Sequence, residues 1–325
     1  MTKQFSIVIP VYNESFFIKQ TLTSLRDLKY PQDDYEVIVV DDGSTDDTCE
    51  VVSKFPEVRL VKQEKNLGRY LTRKNGCYHA KFANVFFLDS RILIDPQLLA
   101  EASKCPNDHP VLGASFNLDA IGRESEMTWF ENYYTLIRNK VFAKALKNHN
   151  PKFITLENFD ETPKGTGVFC CPKKLLEEVF LEIGDVDVLS DDTLLLKEIC
   201  KRKEIYFTPH VKIYLFARQE FMKSVKHLYN RGPKFIEYYF EPGKRYFLAI
   251  VAFIALASIG LAAPVLFPDF FRTQLIITGV LVLLFSIYIS KSLKDLLLST
   301  VMTPLVVAVF SVGLVKGIFL KYKSS

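Results

Sequence analysis

Short apolar runs alternate with longer amphipathic segments in the first part of the chain. The apolar runs predict three strands, at residues 5–11, 35–40 and 85–88. Segments with helical spacing lie between and after them, at residues 15–28, 46–55 and 68–80. This alternation of strand and helix predicts an α/β fold with a largely parallel sheet.

Three long stretches without charge follow near the end of the chain, at residues 246–267, 273–290 and 296–315. Each is close to the ~20 residues that a helix needs to cross the hydrocarbon core of a bilayer. The pattern predicts three membrane segments, the third interrupted by Pro304 and limited by Lys316. For any one of them, the alternative is a helix buried in a protein core.

Charge divides the chain in the same place. Residues 1–245 hold 35 basic and 35 acidic residues, so the apolar end carries the whole net charge of +4. A nucleic-acid-binding domain is usually basic in such a count, so we expect no nucleic acid partner. The first apolar run is too short for a secretory signal, so we expect a cytoplasmic front domain in which the six cysteines stay free.

A basic and aromatic segment precedes the membrane segments. Residues 218–245 contain seven Lys or Arg, three Glu and six Phe or Tyr. This mixture suits the headgroup layer and its anionic lipids. We therefore predict a front domain at 1–217, an interface segment at 218–245 and a transmembrane region at 246–325. Residues 127–146 predict a further amphipathic helix, which faces either the membrane or the core.

The orientation of the chain contains a conflict. With a cytoplasmic front domain, three crossings would place Lys321 and Lys323 outside the cell, against the positive-inside tendency. A third segment that turns back would remove this conflict. In either case the pattern predicts a multi-pass membrane protein with its front domain in the cytoplasm.

Acidic side chains follow each predicted strand. Glu14 comes after the first, Asp41 and Asp42 end the second, and Asp89 ends the third. Because the carboxyl ends of parallel strands meet at one edge of a sheet, we expect these side chains close together there. A structural role at the start of the next helix is the alternative for the second pair. No Walker loop and no dinucleotide-binding glycine pattern follows a strand.

Five motifs in a fixed order carry a resemblance to a known family. They are PxYNE at 10–14, VDDGSTD at 40–46, NxG with RKN at 66–75, FLDSR at 87–91 and DDTLL at 191–195. Over about residues 5–215 the chain resembles the family 2 glycosyltransferases of GT-A fold. Its apolar end resembles the membrane-anchored members that build exopolysaccharide or lipid-linked saccharides. The resemblance implies a Rossmann-like nucleotide-sugar domain followed by transmembrane helices, with a UDP-sugar or GDP-sugar as donor.

The resemblance also implies which residues hold the donor. The base and ribose pocket is expected at four positions matched by motif: Pro10, Tyr12, Glu14 and Asp42. A carboxylate such as Asp42 can accept hydrogen bonds from two donors at once. Arg69 and Lys74, on the helix after the NxG motif, would contact the diphosphate or the base. Solvated surface charge is the alternative for both cations.

The family's metal motif, Asp-x-Asp, here reads Asp89-Ser90-Arg91. An arginine cannot ligate a cation, since its guanidinium has no acceptor. Either Asp89 holds Mg²⁺ or Mn²⁺ together with phosphate oxygens and water, or Arg91 itself neutralises the leaving diphosphate. We expect the metal, following the family pattern. An inactive relative that binds nucleotide without turnover is the third alternative.

The acceptor side is matched to later residues. Asp192 corresponds to the family's general base, with Asp191 beside it, although two acids at a helix start also favour the helix dipole. Gly167 lies in the region that shapes the acceptor pocket in relatives, with a simple tight turn as the alternative. Arg231 is the nearest match to an arginine that contacts acceptor or diphosphate in relatives.

From these matches we expect an inverting hexosyltransferase that acts on a lipid-linked or membrane-associated acceptor. Direct displacement inverts the anomeric centre and needs a base for a hydroxyl acceptor. A polyprenyl phosphate is already ionised, so a polyprenyl-phosphate sugar synthase would need no base and is one alternative. A non-catalytic nucleotide-binding scaffold is the other.

Overall fold

The structure is a computed structural model that describes residues 2–123, 127–141, 150–162, 165–186, 191–216, 221–244, 246–248, 250–252 and 268–323. The chain forms two compact units. The first comprises Met1–Glu126 and Asn148–Ala217. The second comprises Met127–Lys147 and Arg218–Ser325, so the predicted amphipathic helix near 127–146 groups with the apolar end.

In the first unit, nine strands form one sheet: β1 Phe5–Val11, β2 Tyr35–Asp41, β3 Val58–Lys62, β4 Asn84–Leu88, β5 Ile92–Ile94, β6 Val111–Asn117, β7 Lys152–Ile154, β8 Val168–Pro172 and β9 Ile205–Leu215. Its α-helices, numbered along the whole chain, are α1 Ser15–Leu25, α2 Thr48–Ser53, α3 Arg69–His79, α4 Leu98–Ser103, α6 Lys173–Ile183 and α7 Asp191–Arg202.

One half of the sheet is parallel, as the alternating pattern predicts. Strand β1 lies between β2 and β4, with Val8 opposite Ile38 on one side and Phe87 on the other. Strand β3 extends this half beyond β2. Apolar runs without alternation form these strands because both faces of a parallel sheet are covered. The predicted α/β fold class is confirmed.

The other half of the sheet is mixed. Strand β8 runs antiparallel between β4 and β6, and β9 runs parallel to β6. Strands β5 and β7 both pair antiparallel with β9. The register of β4 and β8 sets Leu88 opposite Val168, so the residues just beyond them, Asp89 and Gly167, are neighbours.

Helix α3 packs closely onto the parallel half. A Cβ on Gly76 would lie 2.2 Å from Cγ1 of Val8, so the helix can approach β1 this closely only with glycine at that position.

The six cysteines are free, and all but Cys49 are buried, as expected for structural thiols.

Over its described residues, the second unit forms four α-helices: α5 Trp129–Val141, α8 Phe221–Tyr239, α9 Pro268–Ile289 and α10 Leu293–Lys323. Helices α8 and α10 meet through glycines, since a Cβ on Gly313 would lie 2.2 Å from the carbonyl oxygen of Tyr229. Helix α5 joins α10 through the Tyr133 hydroxyl, which donates to Thr303 Oγ1 over 3.0 Å.

Helices α9 and α10 are long and apolar enough to cross a membrane. They coincide with the segments predicted at 273–290 and 296–315. Helix α10 continues through Pro304 and Lys316, where the sequence pattern predicts an interruption and an end. The segment predicted at 246–267 lies outside the described residues except at 246–248 and 250–252.

Candidate active site

The ends of β1 and β2 are tied together by Asn13. Its Oδ1 accepts a hydrogen bond from the backbone N–H of Thr45 at 2.7 Å, and its own N–H donates to Ser44 Oγ at 2.9 Å. Asn13 has φ of 50°, a left-handed conformation that asparagine tolerates better than most residues. The two loops that follow the strands therefore form one rim.

Of the predicted donor-pocket residues, three lie along the end of β1. Pro10 is buried in the strand, Tyr12 is 43% exposed, and Glu14 is half-buried at the start of α1. The Glu14 carboxylate lies 3.4 Å from Nε of Arg91, whose guanidinium also lies over the ring of Phe17. The structure thus brings Arg91 to Glu14.

Asp42 organises the loop that leads into α3. One carboxylate oxygen accepts from the Leu67 amide at 2.7 Å, and the other accepts from the Gly68 amide at 3.0 Å. Gln63 Nε2 donates to the first oxygen at 3.0 Å. Burial raises the pKa of Asp42, and the amide hydrogen bonds oppose that rise. Asp42 therefore sets where α3 begins, and with it the position of the arginines on that helix.

Arg73 is the centre of an ion-pair cluster at the rim. It is 2% exposed, and its Nη1 lies 2.6 Å from Asp192 Oδ1 and 3.4 Å from Asp191 Oδ2. Its Nη2 donates to Asp89 Oδ1 at 3.2 Å. Three of the predicted site carboxylates therefore converge on one buried guanidinium. Burial without such partners would be costly for each of these charges.

Arg69 lies one turn before Arg73 and closes the cluster on its outer side. Its Nη2 is 2.8 Å from Asp191 Oδ1 and 3.6 Å from Asp192 Oδ2, and its side chain is 47% exposed. The second oxygen of Asp192 therefore faces a cation that is open to solvent. An exposed guanidinium of this kind can exchange a carboxylate partner for an anionic ligand.

The remaining contacts of Asp192 fix its first oxygen. The hydroxyl of Thr166 donates to Oδ1, the same atom that Arg73 binds. Burial alone would raise the pKa of the Asp192 carboxyl, but Arg73, Arg69 and Thr166 hold that pKa well below its usual range. Asp192 is therefore an ionised acceptor held in one orientation at neutral pH.

Gly167 touches the carboxylate of Asp89. Its carbonyl accepts from the Asp89 amide at 3.3 Å, and a Cβ at this position would lie 2.6 Å from Asp89 Oδ2. A side chain here would push the carboxylate away, so glycine leaves it room. Gly165, two residues earlier, has open space around it.

The predicted residues Lys74 and Arg231 make their contacts with other residues. Lys74 projects from the outer side of α3, where its Nζ contacts Asp185 at 2.6 Å and borders an open cavity of about 410 Å³. Arg231 belongs to α8 in the second unit, where its Nε donates to His227 Nε2 and its guanidinium lies over the ring of Tyr134.

The fit of a divalent cation rests on Asp89. Among the described residues, no three His, Cys, Asp or Glu side chains form a ready metal site. Asp89 is 37% exposed and has one carboxylate oxygen paired with Arg73. A single carboxylate fits Mg²⁺ or Mn²⁺ when phosphate oxygens and water complete the shell.

Sequence reasoning did not select Arg73 and Thr166 as site residues. Arg73 stands in the RKN motif, beside Lys74, and a helical repeat places it with the buried Tyr70 and Cys77. A charged residue on an otherwise buried helix face was the available signal. Thr166 had no comparable signal, since its role depends on the tertiary fold, which brings its hydroxyl to Asp192 Oδ1.

Comparison with known proteins identifies the family. The model of Glycosyl transferase family 2 matches residues 6–180. TarS of Staphylococcus aureus, a poly(ribitol-phosphate) beta-N-acetylglucosaminyltransferase, is 32% identical over 45% of this chain and 29% of its own. A poly(ribitol-phosphate) beta-glucosyltransferase of Bacillus spizizenii is 26% identical over 68% of this chain and 30% of its own. This chain thus matches less than a third of either relative.

Solved structures show the same fold. The mannosyltransferase PcManGT from Pyrobaculum calidifontis, solved with GDP-Man and Mn²⁺, has a TM-score of 0.62 and 18% identity, covering 99% of this chain and 88% of its own. Residues 1–349 of the Staphylococcus aureus TarS give a TM-score of 0.51 and 21% identity, with 74% of each chain covered. The fold is therefore GT-A. Because the family model spans more than half of its length, the chain belongs to glycosyl transferase family 2.

Proposed function

We propose that the protein is an inverting glycosyltransferase that moves a hexosyl group from a nucleotide sugar to a lipid-linked or membrane-associated acceptor. The observation that carries this proposal is the convergence of Asp89, Asp191 and Asp192 on Arg73 at the rim of the sheet. Structural neighbours solved with UDP-GlcNAc and with GDP-Man support a nucleotide-sugar donor, of UDP or GDP type.

The donor would lie along the ends of β1 and β2. Tyr12 offers an exposed ring for the base, and Pro10 and Glu14 would form the adjacent wall. Asp42 would act on the nucleotide mainly through the loop that it holds, because both of its oxygens already accept backbone amides. Lys74 would stay a more distant contributor, since it is paired with Asp185.

The positive charge that meets the diphosphate would come from one of two sources. Asp89 would be the protein ligand of a Mg²⁺ or Mn²⁺ ion, whose charge would stabilise the leaving nucleotide. Arg91 is the alternative source of that charge, and its long contact with Glu14 leaves it free to turn toward an anion. Turnover that survives a chelator would favour Arg91 over the metal.

Asp192 would serve as the general base. Its Oδ1 is held by Arg73 and Thr166, which leaves Oδ2 to accept the proton of the acceptor hydroxyl. We propose that the donor diphosphate draws Arg69 away from Asp191 and Asp192, which would raise the basicity of Oδ2 when substrate is bound. Attack from the face opposite the nucleotide would invert the anomeric configuration, with Gly167 bordering the acceptor.

The acceptor assignment rests on the apolar helices of the second unit. A chain with two helices long enough to cross a bilayer would meet acceptors that are confined to the membrane. Arg231, in the basic segment 218–245, would contact the acceptor or the anionic lipids. We further propose a multi-pass membrane protein whose catalytic unit faces the cytoplasm.

A polyprenyl-phosphate sugar synthase is a second candidate function. One relative, a dolichyl-phosphate beta-glucosyltransferase of Trichomonas vaginalis, is 35% identical over 26% of this chain. A phosphate acceptor carries its own charge, so this reaction would proceed without Asp192 as base. Transfer to polyprenyl phosphate by an Asp192→Asn variant would favour this candidate.

The experiment that tests the proposed function uses the full chain purified in detergent. A thermal-shift screen of UDP, GDP, CDP and dTDP identifies the nucleotide, and release of that nucleotide from its sugars is then measured with membrane lipid extracts as acceptor. We expect acceptor-dependent release with one nucleotide class. Binding of a nucleotide without release from any sugar would favour the non-catalytic scaffold.

A further inference from the structure

One side of α10 carries exposed apolar side chains along almost all of its 31 residues. They recur every three or four residues, as the face of one helix requires. The large members of this apolar stripe are Leu293, Leu297, Val301, Val312, Val315 and Phe319. Pro304 and Ala308 fill the gap between them. A helix of this length extends about 46 Å, which exceeds the ~30 Å of a hydrocarbon core.

The opposite side of α10 is covered by α8. Gly313 lies against the carbonyl of Tyr229, and Gly317 lies against Pro233. Further along, the Nζ of Lys321 donates to the carbonyl of Phe240 just after α8 ends. Later residues of α8 contact later residues of α10. The two helices therefore run side by side in the same direction for several turns.

Charged side chains project from the outer side of α8. Lys223, Lys226 and Arg231 are exposed. Leu228, in the midst of them, is buried in the same cluster as Met302 of α10. Since Tyr229 lies against Gly313 and Pro233 against Gly317, these cations lie beside α10 from about its middle to the turn after Gly313.

Helix α5 continues the charged cover toward the start of α10. Its Tyr133 bonds to Thr303, and its Lys140 lies over the ring of Tyr288, which precedes α10. Lys140 is itself exposed. Among the described helices, any stretch of α10 long enough to span a bilayer core therefore lies beside at least one charged side chain of α5 or α8.

Helix α9 shows the contrasting pattern. Exposed apolar side chains lie on all sides of it, including Leu275, Ile276, Leu281 and Phe285. It meets α10 near its end, where Ser299 Oγ lies 3.5 Å from the carbonyl of Ser286. A helix that is apolar all round suits lipid on every side, whereas a helix apolar on one exposed face suits an interface.

We propose that α10 lies in the plane of the membrane interface, with its apolar stripe against the acyl chains and α5 and α8 on its aqueous side. A crossing α10 would carry Lys226 and Arg231 to hydrocarbon depth, where charged side chains are costly. The in-plane position also keeps Lys321 and Lys323 on the side of α8, which removes the orientation conflict. The inference does not depend on the proposed glycosyl transfer.

The single tryptophan of the chain, Trp129, allows a direct test. In a Trp129→Phe background, one tryptophan is placed at Leu297, Ala308 or Phe319, and each full-length variant is reconstituted in phosphatidylcholine and phosphatidylglycerol vesicles. Fluorescence quenching is compared between lipids brominated near the carbonyl and lipids brominated near the chain end. Leu281→Trp on α9 is the deep control, and only variants that melt like the background are used.

An in-plane α10 gives the same ratio of shallow to deep quenching at all three positions, with shallow quenching the stronger. A crossing α10 gives a ratio that falls sharply at Ala308, since the centre of a span lies ~15 Å below either end. That result overturns the proposal, and so does absence of quenching at all three positions.

A second measurement avoids substitution altogether. The unaltered chain is irradiated in vesicles whose lipids carry a photoreactive group near the headgroup, and the adducts are mapped by mass spectrometry. The proposal expects adducts along the full apolar stripe, from Leu293 to Phe319. Adducts confined to the two ends of α10 would contradict it.

Discussion

The guanidinium of Arg73 binds the carboxylate of Asp192 over 2.6 Å, although the two residues are 119 positions apart in the chain. The same guanidinium donates to Asp89 at the end of β4. Helix α3 is therefore joined through one buried side chain to the start of α7 and to the sheet rim. The proposed base and the proposed metal ligand owe their relative position to this contact.

Replacement of Arg73 by Met should destabilise the fold by about 3 kcal/mol, because it leaves buried carboxylates without their partner. Denaturant unfolding of the full chain in detergent measures this loss. Arg59→Met, at an exposed arginine, should change the free energy of unfolding by less than about 0.5 kcal/mol. Equal effects of the two substitutions would contradict a central role for Arg73.

The same ion pair should make stability depend on pH. Since Arg73 and Arg69 lower the pKa of Asp192, the pairing contributes fully above the usual aspartate pKa of about 4. That contribution is lost as pH falls through the lowered pKa. The difference in unfolding free energy between the wild type and Arg73→Met should therefore shrink in acid. A difference that stays constant down to that range would show that Asp192 is not involved.

Replacement of Arg69 by Gln should move the acid limb of kcat/KM to higher pH. Removing this cation raises the pKa of Asp192, so the proposed base becomes protonated at a pH where the wild type is still ionised. Activity profiles with a fixed donor measure the shift, and Arg59→Gln is the matched control. An acid limb that does not move would separate Arg69 from Asp192 in catalysis.

Replacement of Gly167 by Ala should weaken binding of the donor in the presence of Mn²⁺. The new Cβ would lie 2.6 Å from Asp89 Oδ2 and must displace the carboxylate. Crowding of this kind typically costs ~1–3 kcal/mol, or roughly a factor of 5 to 150 in affinity. Gly165→Ala, which meets open space, is the control for calorimetric titration with nucleotide. Equal affinities in both variants would remove Asp89 from the donor site.

The parallel half of the sheet could be predicted from sequence because β1, β2 and β4 are continuous apolar runs. Strand β9 could not, since it mixes buried Ile205 and Val211 with the exposed His210. Its pairing with β6 and β5 depends on contacts between distant parts of the chain, which no local pattern encodes.

The carboxylates of the site could also be predicted, because they follow strands at one edge of the sheet. The partner that joins them could not be predicted with the same rule. An arginine is usually solvated, and only its position on the buried face of α3 distinguishes Arg73 from the half-buried Lys74 next to it. At Pro304 the sequence pattern predicts an interruption of the helix, but α10 continues through this residue.

The proposed role of Asp192 is tested most directly by the rate of sugar transfer from donor to a hydroxyl acceptor. The Asp192→Asn variant is compared with the wild type and with Asp108→Asn, a substitution at an exposed aspartate. The account predicts an unchanged thermal shift with nucleotide, and transfer lowered by about 10² to 10⁴, the usual contribution of a general base. The Asp108 control should transfer at the wild-type rate. Wild-type transfer by Asp192→Asn would contradict the account.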